Sequence, residues 1–168
     1  MKHTVALWVI VVVLLALNAF LLFNLRKLDA ENAALKDAAP GLGDYMTTIQ
    51  LHAGKLWFAA EAANWELAAY EIGELKETME SAEKLEEEKN GVRISPLLDA
   101  VLKTQVAALE EAVKSASATK FQQSYDETLA ACNSCHAEAG YKFIHIVRPT
   151  APPVTNQQWE LDAKAKQP

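Results

Sequence analysis

Residues 120–140 read KFQQSYDETLAACNSCHAEAG, and the rest of the chain is best understood outward from them. The stretch closes on Cys132-Asn133-Ser134-Cys135-His136, the C-x-x-C-H pattern at which a c-type haem is attached. Two thiols three positions apart each add to one vinyl group of the macrocycle, leaving it on two thioethers. The adjacent histidine reaches the iron as an axial ligand through its imidazole. Cys132 and Cys135 are both of the cysteines in 168 residues, so no thiol is left for a disulfide framework. A redox C-x-x-C and half of a zinc site are the competing readings. The redox motif belongs to a βαβ context, and no strand pattern flanks this stretch. Zinc requires further ligands, for which His52 and His145 are the residues of suitable type. The expectation is one covalent haem c, with Cys132 and Cys135 as the thioether residues and His136 as the proximal iron ligand.

The same stretch is helical by its periodicity. Phe121, Tyr125, Thr128, Cys132, Cys135 with His136, and Ala139 recur at threes and fours, and Gly140 is a C-terminal stop. A haem carried on that stripe faces inward, so other helices must cover it. Upstream, 117–119 reads as a turn, and a helix over 95–116 opens on Ser95-Pro96, a cap followed by proline in the first turn. Asn90-Gly91 ends a helix over 65–89 that is capped by Asn64, its charged run 83–89 being the solvated end. A further helix covers 44–62. Short loops make these neighbours antiparallel. The predicted fold is therefore all-α, an up-down-up-down four-helix bundle over 44–140 that holds the haem.

Before the bundle, residues 5–23 are apolar apart from Asn18, about 28 Å of helix, enough to cross the hydrocarbon core of a bilayer. A cleaved signal peptide is the alternative. Leu17-Asn18-Ala19 places a large residue where such a site needs a small one, which favours an uncleaved transmembrane signal anchor over 1–27. Residues 28–43 form a juxtamembrane helix and linker that Ala39-Pro40-Gly41-Leu42-Gly43 breaks. Leu21, Leu25, Leu28, Asn32 and Leu35 follow a 4-3-4-3 spacing. That pattern suits a solvated linker helix better than the second reading, a homodimer through a parallel stalk. After Gly140, residues 141–168 form an extended Pro-rich strap and tail, because Pro149, Pro152 and Pro153 exclude helix. From Leu28 onward 13 Lys and Arg stand against 22 Asp and Glu, a balance of −9. That excess disfavours nucleic acid and anionic lipid headgroups as partners.

Opposite the iron, the end of the fourth helix lies beside the start of the first, which offers His52 and Met46. His52 shares a stripe with Tyr45, Ile49, Leu56, Ala59 and Ala63, and Met46 lies about 120° around the helix. His52 is the leading distal candidate, followed by Met46 and then His145, with an open site as the remaining case. Trp57, Phe58 and Trp65 read as bundle packing or as haem neighbours. Lys55 and Lys142 read as solvated surface or as partners of the haem propionates.

An all-helical domain with one C-x-x-C-H in its last helix resembles the class II c-type cytochromes, the cytochrome c-prime superfamily. The resemblance covers about residues 44–140 and is specific at Cys132, Cys135 and His136. It implies the haem attachment and proximal ligation already assigned. It also implies a distal side that is either apolar and open to small gases or filled by a methionine from the first helix. His52, the membrane anchor and the Pro-rich tail depart from that pattern. The function expected is single-electron transfer to redox protein partners rather than enzymatic turnover. The haem domain would lie in the periplasm, on a single-pass protein of the bacterial inner membrane. A gas-binding or sensing haem protein and a haem subunit of a larger membrane oxidoreductase are the alternatives.

Overall fold

The computed structural model describes residues 2–161, so the extreme end of the expected tail, 162–168, lies outside the described residues. The chain forms two units, 1–39 and 40–168. The first is one helix, α1 (Lys2–Ala38). Its stretch Ala6–Ala38 is long and apolar enough to cross a membrane, and none of it is buried by protein. The two asparagines in its apolar part return their amides to the helix's own backbone, Asn18 to the Leu14 carbonyl and Asn24 to the Phe20 carbonyl. This satisfies groups that hydrocarbon would leave unpaired.

The second unit is also mostly helical: α2 (Leu42–Glu61), α3 (Trp65–Glu83), α4 (Ile94–Val101), α5 (Ala107–Lys114) and α6 (Ala118–Glu138). A five-residue π turn, Leu102–Val106, joins α4 to α5 without a break and is marked by the Ala107 N–H bonding to the Leu102 carbonyl. The only sheet among the described residues is a hairpin of β1 (Glu88–Lys89) and β2 (Val92–Arg93).

That hairpin corrects the sequence reading, in which a helix ran to residue 89. Asn90 and Gly91 have φ of 53° and 82°, the positive values of a two-residue turn whose twist matches a hairpin. The acidic run therefore folds back on itself after Glu83 instead of extending a helix. Ser95 also differs from its expected role as a cap: α4 begins one residue earlier, at Ile94, and the Ser95 hydroxyl donates to the Glu83 carbonyl at 2.7 Å. It thus links the end of α3 to the start of α4. Asn64 does cap α3, accepting from the Leu67 N–H at 3.1 Å.

The core runs from Leu56 and Ala59 of α2 through Ile72 and Leu75 of α3 and Leu109 of α5 to Phe121, Tyr125 and Leu129 of α6. Trp57 stands 4.9 Å from Tyr125 and 6.0 Å from Phe121, centroid to centroid, which locks α2 to α6. Such aromatic pairs add about 0.5–1.5 kcal/mol each beyond the area they bury. Helices α2, α5 and α6 end alike, with paired bonds back into the last turn and a residue at positive φ: Ala63, Ala116 and Gly140.

Candidate functional site

The final two turns of α6 carry the motif, and the ending of that helix fixes its histidine. Gly140 adopts φ of 84°, which lets the Tyr141 N–H turn back onto the His136 carbonyl at 2.6 Å. The chain then passes beside the helix, and the Ile144 carbonyl comes to 3.1 Å from His136 Nδ1. A carbonyl only accepts, so Nδ1 holds the proton, and in the neutral imidazole Nε2 is the nitrogen with the lone pair. A metal-binding imidazole is commonly oriented in this way through its other nitrogen.

Cys132, Cys135 and His136 together line a cavity of about 490 Å³. Its other walls are Leu42, Met46, Ile49 and Ala53 of α2, Leu75 and Met79 of α3, and Leu97, Leu98 and Val101 of α4. Tyr125 and Leu129 of α6 and Tyr141, Ile144 and Ile146 of the following segment also line it, as does Lys89 of the hairpin. The cavity is largely aliphatic, and among the described residues no Asp or Glu lines it. It has the size and apolar character of a cofactor site. Tyr125 donates to the Ala53 carbonyl at 2.9 Å, tying α6 to α2 at this wall.

Both cysteines are free. Burial pushes the Cys132 thiol up to about 11, with Cys135 adding to the effect. Cys135 is raised by burial and then by Glu138. Redox-active C-x-x-C motifs have depressed thiol pKa values, so this site has the opposite electrostatics. Zinc also lacks support, since among the described residues no group of three or more His, Cys, Asp or Glu is placed to hold a metal ion. Two thiols and one oriented imidazole on a single apolar wall match the donor set of a covalently attached haem.

The three residues weighed for the position across from His136 separate. Met46 lines the cavity, whereas His52 and His145 do not. His52 instead faces α3, with Nδ1 2.7 Å from Oε2 of the fully buried Glu71. Lys55 lies 2.6 Å from Glu71 Oε1, an ion pair whose angle falls outside hydrogen-bond geometry. The physical reason is that α2 has two inward stripes. His52 meets Glu71 of α3, and Leu56 and Ala59 are buried in the core away from the cavity, whereas Leu42, Met46, Ile49 and Ala53 line it. His145 is exposed.

Trp57, Phe58 and Trp65 also lie off the cavity. Trp57 packs in the aromatic cluster under the Arg148 guanidinium, Phe58 against Trp159, and Trp65 against Phe121. The lysine at the cavity is Lys89, not Lys55 or Lys142.

Asn133, an interior position of the motif, is a site residue that the sequence reading passed over. Its amide donates to the Ile146 carbonyl and its oxygen accepts from the Ile146 N–H, both at 2.8 Å. That two-point clamp holds a cavity wall against α6. An amide within the motif, followed at a distance by an apolar run, was the available signal.

No protein-family model, curated protein or solved structure matches this chain.

Proposed function

We propose that this chain is a membrane-anchored monohaem c-type cytochrome that carries single electrons. The observation behind the proposal is that Cys132, Cys135 and His136 share one wall of a 490 Å³ apolar cavity. His136 Nδ1 is taken up by the Ile144 carbonyl, which leaves Nε2 of the neutral ring as the ligating nitrogen. The haem supplies the Fe(III)/Fe(II) couple, and the chain's own residues do the rest. Cys132 and Cys135 anchor the group, and His136, held by Ile144, supplies the proximal nitrogen. The aliphatic residues of α2, α3 and α4 keep water from the site.

Met46 would be the second residue to hold the iron, because it is the sulfur or imidazole residue of α2 that lines the cavity. Methionine together with histidine would raise the potential of the couple, as suits a carrier. The arrangement of α2, α3, the joined α4–α5 and α6 is then the four-helix bundle of the class II cytochromes, with helix α1 as anchor. Haem attachment of this type places residues 40–168 on the periplasmic side of a bacterial inner membrane. Redox proteins are the partners.

A pyridine haemochrome assay and absorption spectra of the oxidised and reduced full-length protein test this. The expected result is one covalent haem with low-spin bands that resist carbon monoxide. Absence of covalent haem overturns the cytochrome reading. High-spin bands that shift promptly with carbon monoxide replace the carrier with a gas-binding protein.

A further inference from the structure

The β1–β2 hairpin has no part in the assignments above, yet it meets the motif helix at its end. Asn90, at the tip, donates to the Ala139 carbonyl at 2.6 Å. A Cβ on Gly140 would stand 2.8 Å from that amide, so the glycine also admits the close approach. The base is closed by the Ile94 N–H bonding to the Glu87 carbonyl at 2.9 Å. The hairpin is therefore fixed at both ends, and Lys89 is carried to the cavity wall. Alternate residues of a strand share a face, so Glu87 lies beside Lys89 and pairs with its ammonium. Tyr141, on the segment leaving α6, lines the same wall.

The cavity is thus aliphatic over most of its surface and has a cationic group in one place. Haem has the matching asymmetry, an apolar macrocycle with two carboxylates on one edge. A buried or half-buried carboxylate needs a charged or hydrogen-bonding partner. Building on the cytochrome reading, we propose that Lys89 and Tyr141 form the station for a haem propionate. The Lys89 ammonium pairs with the carboxylate and the Tyr141 hydroxyl donates to it, while Glu87 competes for Lys89. The groups facing Lys89 are Glu87 from its own hairpin and Tyr141 from the segment after α6. Lys89 and Tyr141 are positioning residues, and their charge balance with Glu87 tunes the couple.

Potentiometric titration of the full-length holoprotein in detergent tests this. A cation near the haem favours the reduced iron, so Lys89→Gln is expected to lower the Fe(III)/Fe(II) equilibrium constant about three- to tenfold, where tenfold is about 59 mV. Glu87→Gln is expected to raise it, Lys89→Arg to match the parent, and Lys103→Gln, in an exposed pair with Asp99, to change nothing. Opposite signs for Lys89 and Glu87 are what a mere loosening of the hairpin does not produce. Shifts of the same sign, or none beyond that of Lys103→Gln, overturn the inference. If Lys89→Gln fails to retain haem, Lys89→Arg and Glu87→Gln still decide. The haemochrome assay on the parent protein reports separately on the cytochrome reading, which falls if no covalent haem is found.

Discussion

Replacing His52 by alanine separates the structural role found for this residue from the ligand role its helical stripe suggested. Glu71 is fully buried, and its Oε2 accepts from His52 Nδ1 at 2.7 Å. A hydrogen bond to a charged group contributes about 1.5–3 kcal/mol net. Lys55 remains 2.6 Å from Oε1, so the carboxylate keeps a cationic partner. The loss should therefore fall short of the 3–5 kcal/mol typical of a buried pair broken outright. About 2 kcal/mol is expected. With a urea m-value of about 1–3 kcal/mol per molar, the unfolding midpoint drops by about 1 M. Near-ultraviolet circular dichroism of the full-length protein in detergent follows this, since Trp57 and Trp65 report on the core. In the same sample the haem spectrum should stay low-spin, while Met46→Ala should convert it to high-spin. A His52→Ala protein of parental stability with a high-spin spectrum refutes the reasoning, for it would place the imidazole on the iron.

Three further outcomes follow from particular residues. Ala63 and Ala116 hold φ of 54° and 48° at helix ends; glycine at either relieves a left-handed strain, and each variant should gain about 0.5–1 kcal/mol, or about 1–4 °C in thermal midpoint. Asn133→Ala removes both bonds to Ile146, and limited proteolysis should then cut within 143–150 faster than in the parent protein while the helices survive. The third concerns alkali. In the haem-free chain the folded Cys132 thiol titrates at about 11 against an ordinary 9.0, so the folded state binds its proton more tightly than the unfolded state does. Its contribution to stability is complete below pH 9 and is lost as the pH rises from 9 towards 11, at most about 1.4 kcal/mol per unit. Chemical denaturation across that range should show the decline in the haem-free chain, whereas a thioether does not titrate and the haem-loaded protein should lack this component.

The sequence was most legible where a residue's role is local. Asn64 capping α3, Gly140 ending the motif helix and the apolar length of α1 each depend on neighbours within a few positions. The C-x-x-C-H spacing is equally local, and its chemistry awaits the haemochrome assay. What failed to read was whatever depended on which of two partners a face meets. On a wheel, His52 and Met46 are both plausible inward residues of α2, and only the placement of α3 and α6 divides them. His52 even looked the better aimed, because its stripe contains Leu56 and Ala59, which are fully buried but do not line the cavity. The hairpin was missed for a related reason. Its strands are two residues each, too short to show alternation, so Asn90-Gly91 carried the signal alone and passed for a helix stop. Lys89 was overlooked with it.

The segment after α6 has no helix or strand through residue 161, yet it is tied along much of its length. The Ile144 carbonyl accepts from His136, Ile146 is clamped by Asn133, and Arg148 reaches Asp126 through two bonds of 2.6 Å. Further on, the Trp159 carbonyl accepts from Asn64 at 2.9 Å and its ring packs on Phe58. Two of these ties fall on the motif, at Asn133 and His136, and the residues they hold, Ile144 and Ile146, are walls of the cavity. Alpha6 alone presents the thiols but leaves the imidazole free to turn and one side of the cavity open. Docking of the strap supplies both the wall and the acceptor that fixes Nδ1. The site is therefore a product of α6 and the strap together. The strap's order in turn depends on α6 and on the α2–α3 junction, because neither proline-rich backbone nor short apolar runs would hold this path unaided.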